Sequence, residues 1–185
     1  MFDQGTPFAA IVATARGSGN AFTDAIRVPV LVMVSEVPMD ATLGFETRHA
    51  SDVEALSFRQ AEALRQTPSR GLVYFLRKRE AGIFTDKIGL GRTRNVDICV
   101  PNSQISKYHA FFSRTSDGGW TITDADSKNG TRVGQERLAV GAPKELQNDR
   151  KIFAGGLEFV FYLPDDFVLL CRNSLGFEYP ASRSR

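Results

Sequence analysis

The stretch ISKYHAFF, residues 105–112, places Ser106, Lys107 and His109 directly before a run of apolar residues. A serine near a histidine is typical of a nucleophile and its base, because a serine hydroxyl needs an adjacent base to react. A serine beside a lysine instead suits a phosphate group, since both side chains donate hydrogen bonds. The sequence on either side of this stretch decides between the two interpretations.

The composition describes an ordinary globular chain. Of its 185 residues, 42% are apolar and 24% are charged, and the formal net charge is +2. This length allows one domain with a sizeable appendage, and the apolar share is enough to form a core. Because a protein that coats nucleic acid usually has a strongly basic domain, no nucleic-acid partner is expected.

Several other classes of protein are also disfavoured. No stretch reaches the roughly 18 apolar residues of a membrane helix, so no membrane partner is expected. The start, MFDQGTPFAAIVATA, lacks the basic residues of a secretory leader, which predicts a cytoplasmic protein. Cys99 and Cys171 form no Cys-x-x-Cys motif, which favours free thiols in a reducing compartment. The separated histidines and cysteines predict no metal site, and no cofactor is expected.

Residues 1–69 are predicted to form a partly helical N-terminal extension whose role the sequence leaves open. The segment 6–16 predicts a short helix, with Gly17 suited to its end. The segment RVPVLVMVSEVP, residues 27–38, fits either a strand or the start of a buried helix. The segment 51–66 predicts a capped surface helix.

The sequence pattern changes at residue 70, where short β-prone segments begin to recur about every dozen residues. Turns rich in Gly, Asn, Asp and Ser separate them, which predicts an all-β sandwich or barrel over residues 70–164. The last residues, 165–185, are predicted to be a C-terminal tail with one apolar patch at 167–171. The β-prone segments are 71–78, 83–91, 96–100, 108–115, 119–125, 131–138, 144–155 and 157–163.

Three of the predicted turns contain residues suited to an anionic ligand. The first holds Gly91 and Arg92, the second Ser106 and Lys107, and the third Asn129. Loops between strands of a sandwich gather at its ends, so these three can converge. An arginine fork matches phosphate oxygens, and an asparagine amide can bond an extended peptide backbone. These residues can bind a phosphate and the chain beside it, but they include nothing that cleaves either.

The motifs Gly-Arg, Ser-x-x-His and Asn-Gly-Thr, in this order, resemble the forkhead-associated (FHA) domain family over about residues 71–164. The spacing to Asp97-Ile98 and the closing segment LEFVFYL strengthen the resemblance. It implies a mainly β fold, an FHA-type β-sandwich of about eleven strands, here with an N-terminal, partly helical extension. It also implies recognition of phosphothreonine within an extended peptide.

Carried over by position, the resemblance assigns the binding residues. Arg92 and Ser106 hold the phosphate, and Lys107 assists them. Asn129 holds the main chain of the peptide, and Lys128 lies near the phosphothreonine.

The resemblance also assigns residues around this site. Gln104 occupies the position that in the family often reads a residue downstream of the phosphothreonine, and its uncharged amide argues against an acidic preference there. Gly91 lets its loop turn, and His109 ties its loop to neighbouring ones. Gly130 and Thr131 complete the third turn, where Asn-Gly is a signal for positive φ.

The function implied is a phosphothreonine-peptide-binding adaptor in serine/threonine kinase signalling, and not an enzyme. Its partners are phosphothreonine-containing proteins, among them a serine/threonine protein kinase or its substrates. The alternative is an FHA-fold scaffold that binds its partner without phosphate, through sheet faces or the N-terminal segment. A hydrolase using Ser106 and His109 is disfavoured, because no orienting group or oxyanion site is evident. The partner's identity, the preference downstream of phosphothreonine and the oligomeric state stay open.

Overall fold

The computed structural model describes residues 2–36, 71–79 and 85–174. Two β-sheets face each other as a sandwich, and two helices cover the outer face of the larger sheet. The mainly β, FHA-like sandwich predicted from the sequence is confirmed. The described residues contain twelve strands, where about eleven were expected.

The larger sheet has seven strands in the order β1-β3-β2-β12-β11-β8-β9, and the smaller has five in the order β10-β7-β6-β4-β5. Neighbouring strands are antiparallel except β4 and β5, which are parallel. In chain order the elements are β1 (Thr6–Pro7), α1 (Phe8–Ala25), β2 (Val30–Glu36), β3 (Leu72–Phe75), β4 (Ile88–Gly91), β5 (Ile98–Cys99), β6 (Ala110–Arg114), β7 (Trp120–Asp124), β8 (Thr131–Val133), β9 (Glu136–Arg137), β10 (Pro143–Leu146), β11 (Arg150–Ala154), β12 (Leu157–Tyr162) and α2 (Pro164–Asn173).

The core between the sheets follows from the alternation of the strands. In β6 the side chains of Ala110 and Phe112 are buried, whereas Phe111 and Ser113 between them are partly exposed. Successive residues of a strand point to opposite faces, so every second apolar residue enters the sandwich. Phe112 belongs to one continuous apolar cluster with Phe159 and other buried side chains of the opposite sheet. This packed core supports the loops at each end of the sandwich.

Strand β2 lies inside the larger sheet, between β3 and β12. Val32 is opposite Val73 on one side and Val160 on the other. Within the segment 27–38, the residues Val30–Glu36 therefore form a strand and not a buried helix. Its run from Val30 to Met33 is entirely buried, because apolar side chains cover both faces of the sheet, and such a strand shows no alternation. A domain boundary at residue 70 would therefore divide the larger sheet, because its inner strand β2 lies before residue 70.

Helix α1 begins close to the predicted start but is longer than predicted. It runs from Phe8 through Gly17 to Ala25. A glycine inside a helix costs about 1 kcal/mol relative to alanine, and buried contacts of the flanking apolar residues offset this. Phe8, Ile11 and Phe22 are buried in a second apolar cluster on the outer face of the larger sheet.

Helix α2 forms from the start of the predicted tail. Pro164 occupies its first turn, a position where the missing N–H has no cost. The apolar patch at 167–171 is mostly its buried face, and Phe167 contacts Phe8 edge to face at 6.1 Å between ring centroids. Arg172 Nη2 also donates a hydrogen bond to Thr23 Oγ1 in α1 at 2.8 Å.

The predicted helix over 51–66 and the last residues of the tail lie outside the described residues. No helix within the described ranges is long and apolar enough to cross a membrane. Cys99 is partly buried and Cys171 fully buried, and both are free thiols, as the sequence favoured.

Candidate functional site

The three motif loops meet at one end of the sandwich. The backbone N–H of Arg92 donates to the carbonyl of Ser106 at 3.0 Å, and the backbone N–H of Lys128 donates to Ser106 Oγ at 3.0 Å. Asn129 Nδ2 donates to the carbonyl of Gln104 at 2.8 Å. Both outer loops are therefore bonded to the middle one, which brings Arg92, Ser106 and Asn129 to the same end of the molecule.

Three cationic residues belong to the loops that meet at this junction. Arg92, Lys107 and Lys128 are exposed, and none of their side chains forms a hydrogen bond or ion pair with another described residue. Cations gathered without internal partners create a positive potential that attracts anions. The junction therefore has the electrostatic character of an anion-binding site.

The hydroxyl of Ser106 is oriented by the neighbouring loop. Its oxygen accepts the hydrogen bond from Lys128 N, so its own hydrogen remains available to an acceptor outside the protein. Ser106 is partly exposed, so a ligand can reach it. The arrangement thus presents one neutral donor among the three cations.

His109 links the second loop to the third through backbone bonds. Its ring is buried, Nδ1 accepts from Ser106 N at 3.1 Å, and Nε2 lies 3.3 Å from the Gly130 carbonyl. Because Nδ1 is an acceptor here, the proton of the neutral ring is on Nε2, which donates to Gly130. Both ring nitrogens are therefore engaged with main-chain atoms.

Asp124, to which the sequence analysis assigned no role, organises the third loop. Its buried carboxylate accepts hydrogen bonds from Ser127 N at 2.9 Å, from Ser127 Oγ at 2.7 Å and from Thr131 Oγ1. Burial on its own raises the pKa of Asp124, but these bonds outweigh it and hold the pKa below its usual value. The sequence signal was available, because aspartate favours turns, where its carboxylate bonds backbone N–H groups that follow it.

The glycines at this end make room for close backbone contacts. A Cβ on Gly91 would lie 2.2 Å from the Lys107 carbonyl oxygen, so Gly91 allows one loop to approach another rather than allowing a turn. Gly130 has φ +79°, the left-handed conformation expected of the Asn-Gly turn. Gly155, which the sequence analysis did not consider, donates its N–H to the Gly130 carbonyl at 3.0 Å.

Asn129 and Gln104 differ in which of their side-chain amide groups a ligand could bond. Asn129 uses Nδ2 once, and within the described residues its Oδ1 accepts no hydrogen bond, so the amide can still bond a peptide main chain. Gln104 contributes its carbonyl to Asn129, while its side-chain Oε1 is buried without a hydrogen-bond partner in the described part of the chain. That the Gln104 side chain reads a downstream peptide residue stays a prediction.

The neutral, buried state of His109 predicts a loss of stability in mild acid. Burial lowers the pKa of His109 below 6.5, and this outweighs the opposing effects of the Asp124 charge and the Gly130 carbonyl. Below about pH 6.5 the unfolded chain binds a proton that the folded chain does not. The free energy of unfolding should be level above this pH and should fall below it, with a slope approaching about 1.4 kcal/mol per pH unit.

Denaturant titrations between about pH 7.5 and 5.5 measure this slope. The variant His109→Gln should remove the slope, because glutamine does not titrate in this range. A parent protein equally stable at both ends of this range would contradict the prediction.

The family comparison covers the loops described above. A family model, the FHA domain, matches residues 88–154, a range that contains Arg92, Ser106, His109 and Asn129. The resemblance to the FHA family is therefore confirmed over this range, and the members of that family bind phosphothreonine peptides.

Solved FHA-domain structures resemble the chain at low sequence identity. The solution structure of the FHA domain of an Arabidopsis thaliana hypothetical protein is 20% identical, with 74% of this chain and 86% of that chain covered and a TM-score of 0.46. The FHA domain of CT664 from Chlamydia trachomatis is 15% identical, with 73% and 96% covered and a TM-score of 0.45. A structure from work on phosphothreonine-dependent FHA domain interactions is 15% identical, with 74% and 96% covered and a TM-score of 0.45. No curated protein matches the chain.

Proposed function

We propose that this FHA domain binds phosphothreonine-containing proteins and acts as an adaptor in serine/threonine kinase signalling. The observation that carries the proposal is the Ser106 hydroxyl, oriented by Lys128 N beside three cationic residues whose side chains bond no other described residue. A phosphothreonine has about −1.5 to −2 charges and three acceptor oxygens. Both its charge and its need for donors match this junction.

Each residue contributes in its own way to binding. The Arg92 guanidinium is a planar fork that suits two phosphate oxygens, and the Ser106 hydroxyl suits a third. Lys107 and Lys128 add compact positive charges beside them. The backbone bonds between the loops order them before a ligand arrives, so binding loses less conformational entropy.

The peptide main chain has a place beside the phosphate. Asn129 follows Lys128 directly, and among the described residues nothing bonds its second N–H or its Oδ1, which match the acceptor and donor groups of an extended peptide. The partners are accordingly phosphothreonine-containing proteins, among them a serine/threonine kinase or its substrates. The cytoplasmic location stays a prediction from the sequence.

The hydrogen bonds of Ser106 and His109 support a binding module over a hydrolase. The Ser106 Oγ is bonded to Lys128 N, whereas both nitrogens of His109 are engaged with main-chain atoms. A nucleophilic serine requires a base within hydrogen-bond reach of its hydroxyl. The pair instead orders the loop on which Ser106 lies.

The phosphate-independent scaffold is less well supported. It requires an accessible sheet face or the N-terminal segment, but α1 and α2 cover the outer face of the seven-stranded sheet. The described part of the N-terminal segment also packs within the protein, because β1 pairs with β3 and β2 with β12.

A binding titration tests the proposed function. Phosphothreonine peptides selected from a degenerate library should bind, and their unphosphorylated twins should not. The affinity should also decrease with added salt, because exposed charges are screened. Equal affinity for a peptide and its twin would support the scaffold instead.

A further inference from the structure

A fourth cation, Arg137, which the sequence analysis did not single out, reaches the site from strand β9. Its guanidinium lies directly over Gly130, the residue after Asn129. A Cβ built on Gly130 would be 2.6 Å from Arg137 Nη2 and 2.9 Å from Cζ. The absent side chain of Gly130 is therefore what allows the guanidinium to lie against this loop.

The guanidinium of Arg137 has no polar partner among the residues that the structure describes. Arg137 is exposed, and in the described ranges it makes no side-chain hydrogen bond or ion pair. The adjacent acid, Glu136, is paired with Lys144. The Gly130 carbonyl, immediately below, accepts from Gly155 N and bonds His109 Nε2. Five N–H donors thus remain available beside Asn129.

The main chain of Arg137 is held firmly at this place. Arg137 pairs with Arg132 across the β8–β9 hairpin, and Leu138 N donates to the Thr131 carbonyl at 2.9 Å. Thr131 is in turn bonded to the buried Asp124. An arginine on a short, anchored hairpin is a more precise ligand than one on a free loop.

We propose that Arg137 is a specificity-determining residue that binds the carboxylate of an acidic residue flanking the phosphothreonine. This inference rests on the proposed function, because the peptide must first be held by Arg92, Ser106 and Asn129. The guanidinium lies on the Asn129 side of the site, along the proposed course of the peptide main chain.

The chemistry favours a carboxylate over other peptide groups. A planar guanidinium binds a carboxylate through two parallel hydrogen bonds, and a neutral side chain gives fewer and weaker bonds. Gln104, where the family resemblance places a selective residue, is uncharged, and its Oε1 is buried. Gln104 has no positive charge, whereas Arg137 places one beside Gly130.

The test uses a series of phosphothreonine peptides that are otherwise neutral. Each peptide contains one aspartate at a different position flanking the phosphothreonine. At one position the parent should gain about fivefold in affinity, a size typical of a partly exposed ion pair. Arg137→Gln should abolish this gain and leave the affinity for the neutral phosphopeptide within about twofold of the parent. Arg137→Lys should keep only part of the gain, because lysine lacks the fork.

Arg132→Gln is the matched control. Arg132 lies directly opposite Arg137 and has the same charge, but its guanidinium lies over the Phe153 ring at 4.6 Å. This variant should retain the gain from aspartate.

A gain that persists in Arg137→Gln, or the absence of a gain at every position, would overturn the inference while leaving the proposed function intact. So would an equal loss for all phosphopeptides, which would indicate that Arg137 only supports the Gly130 loop. If no phosphothreonine peptide binds the parent, the proposed function and the inference both fail.

Discussion

Replacing Arg92 by alanine should weaken phosphothreonine-peptide binding by one to two orders of magnitude or more. Each charge-assisted hydrogen bond contributes roughly 1.5–3 kcal/mol, and about 1.4 kcal/mol corresponds to a tenfold change in affinity. Folding should be unaffected, because the Arg92 side chain is exposed and bonds no other described residue. Calorimetry with one phosphopeptide measures the affinity, and a thermal melt checks the fold.

Arg94 provides the matched control for this substitution. It is an exposed arginine on the same loop, its main-chain carbonyl accepts a bond from Arg79 Nη1, and its side chain bonds no other described residue. Arg94→Ala removes the same charge and should change the affinity by less than about threefold. If Arg92→Ala binds as tightly as the parent, or no worse than Arg94→Ala, then Arg92 does not hold the phosphate.

Replacing Gly91 by alanine should destabilise the whole domain. The added methyl group would lie 2.2 Å from the Lys107 carbonyl oxygen and 2.9 Å from its carbon, both of which are main-chain atoms. Gly91 is buried and its own carbonyl accepts from Val100 N at 2.8 Å, so neither loop can easily move away. Overpacking of this kind typically costs about 1–3 kcal/mol, and a clash between backbones should reach the upper end.

For a chain of this size, about 3 kcal/mol corresponds to a drop of roughly 6–12 °C in Tm. Gly119→Ala is the control, because there the methyl group would meet the side chain of Thr115 rather than main-chain atoms. That variant should stay within about 1 kcal/mol of the parent. A Gly91→Ala protein as stable as the Gly119→Ala protein would show that the loops tolerate a larger separation.

The roles of Arg92 and Gly91 could be predicted from the sequence to different extents. Arg92 could be selected from its motif, since the chemistry of a guanidinium is the same wherever it is exposed. Gly91 was selected for the wrong local reason, because its contact is with Lys107, sixteen positions later. A steric contact between two distant backbones leaves no signal in the residues next to it.

The strands show the same difference between features that local sequence predicts and features that depend on distant contacts. Strand β6, whose burial alternates, and strand β7, which is buried throughout, could both be predicted from apolar spacing and from the turns around them. The fully buried β2 could not be distinguished from a helix, and its place between β3 and β12 follows only from pairing with distant segments. The apolar patch of the tail likewise became the buried face of α2 because the larger sheet offered it an apolar surface.

The sequence by itself determined the chemical groups of the candidate site and the turns that present them, because motif, charge and turn propensity are properties of neighbouring residues. Only the tertiary structure decided that Lys128 N orients the Ser106 hydroxyl, that Asp124 anchors the third loop, and that Arg137 lies over Gly130. These contacts join residues from different strands and loops, and their distances depend on how the two sheets pack. Local periodicity contains no information about such distances.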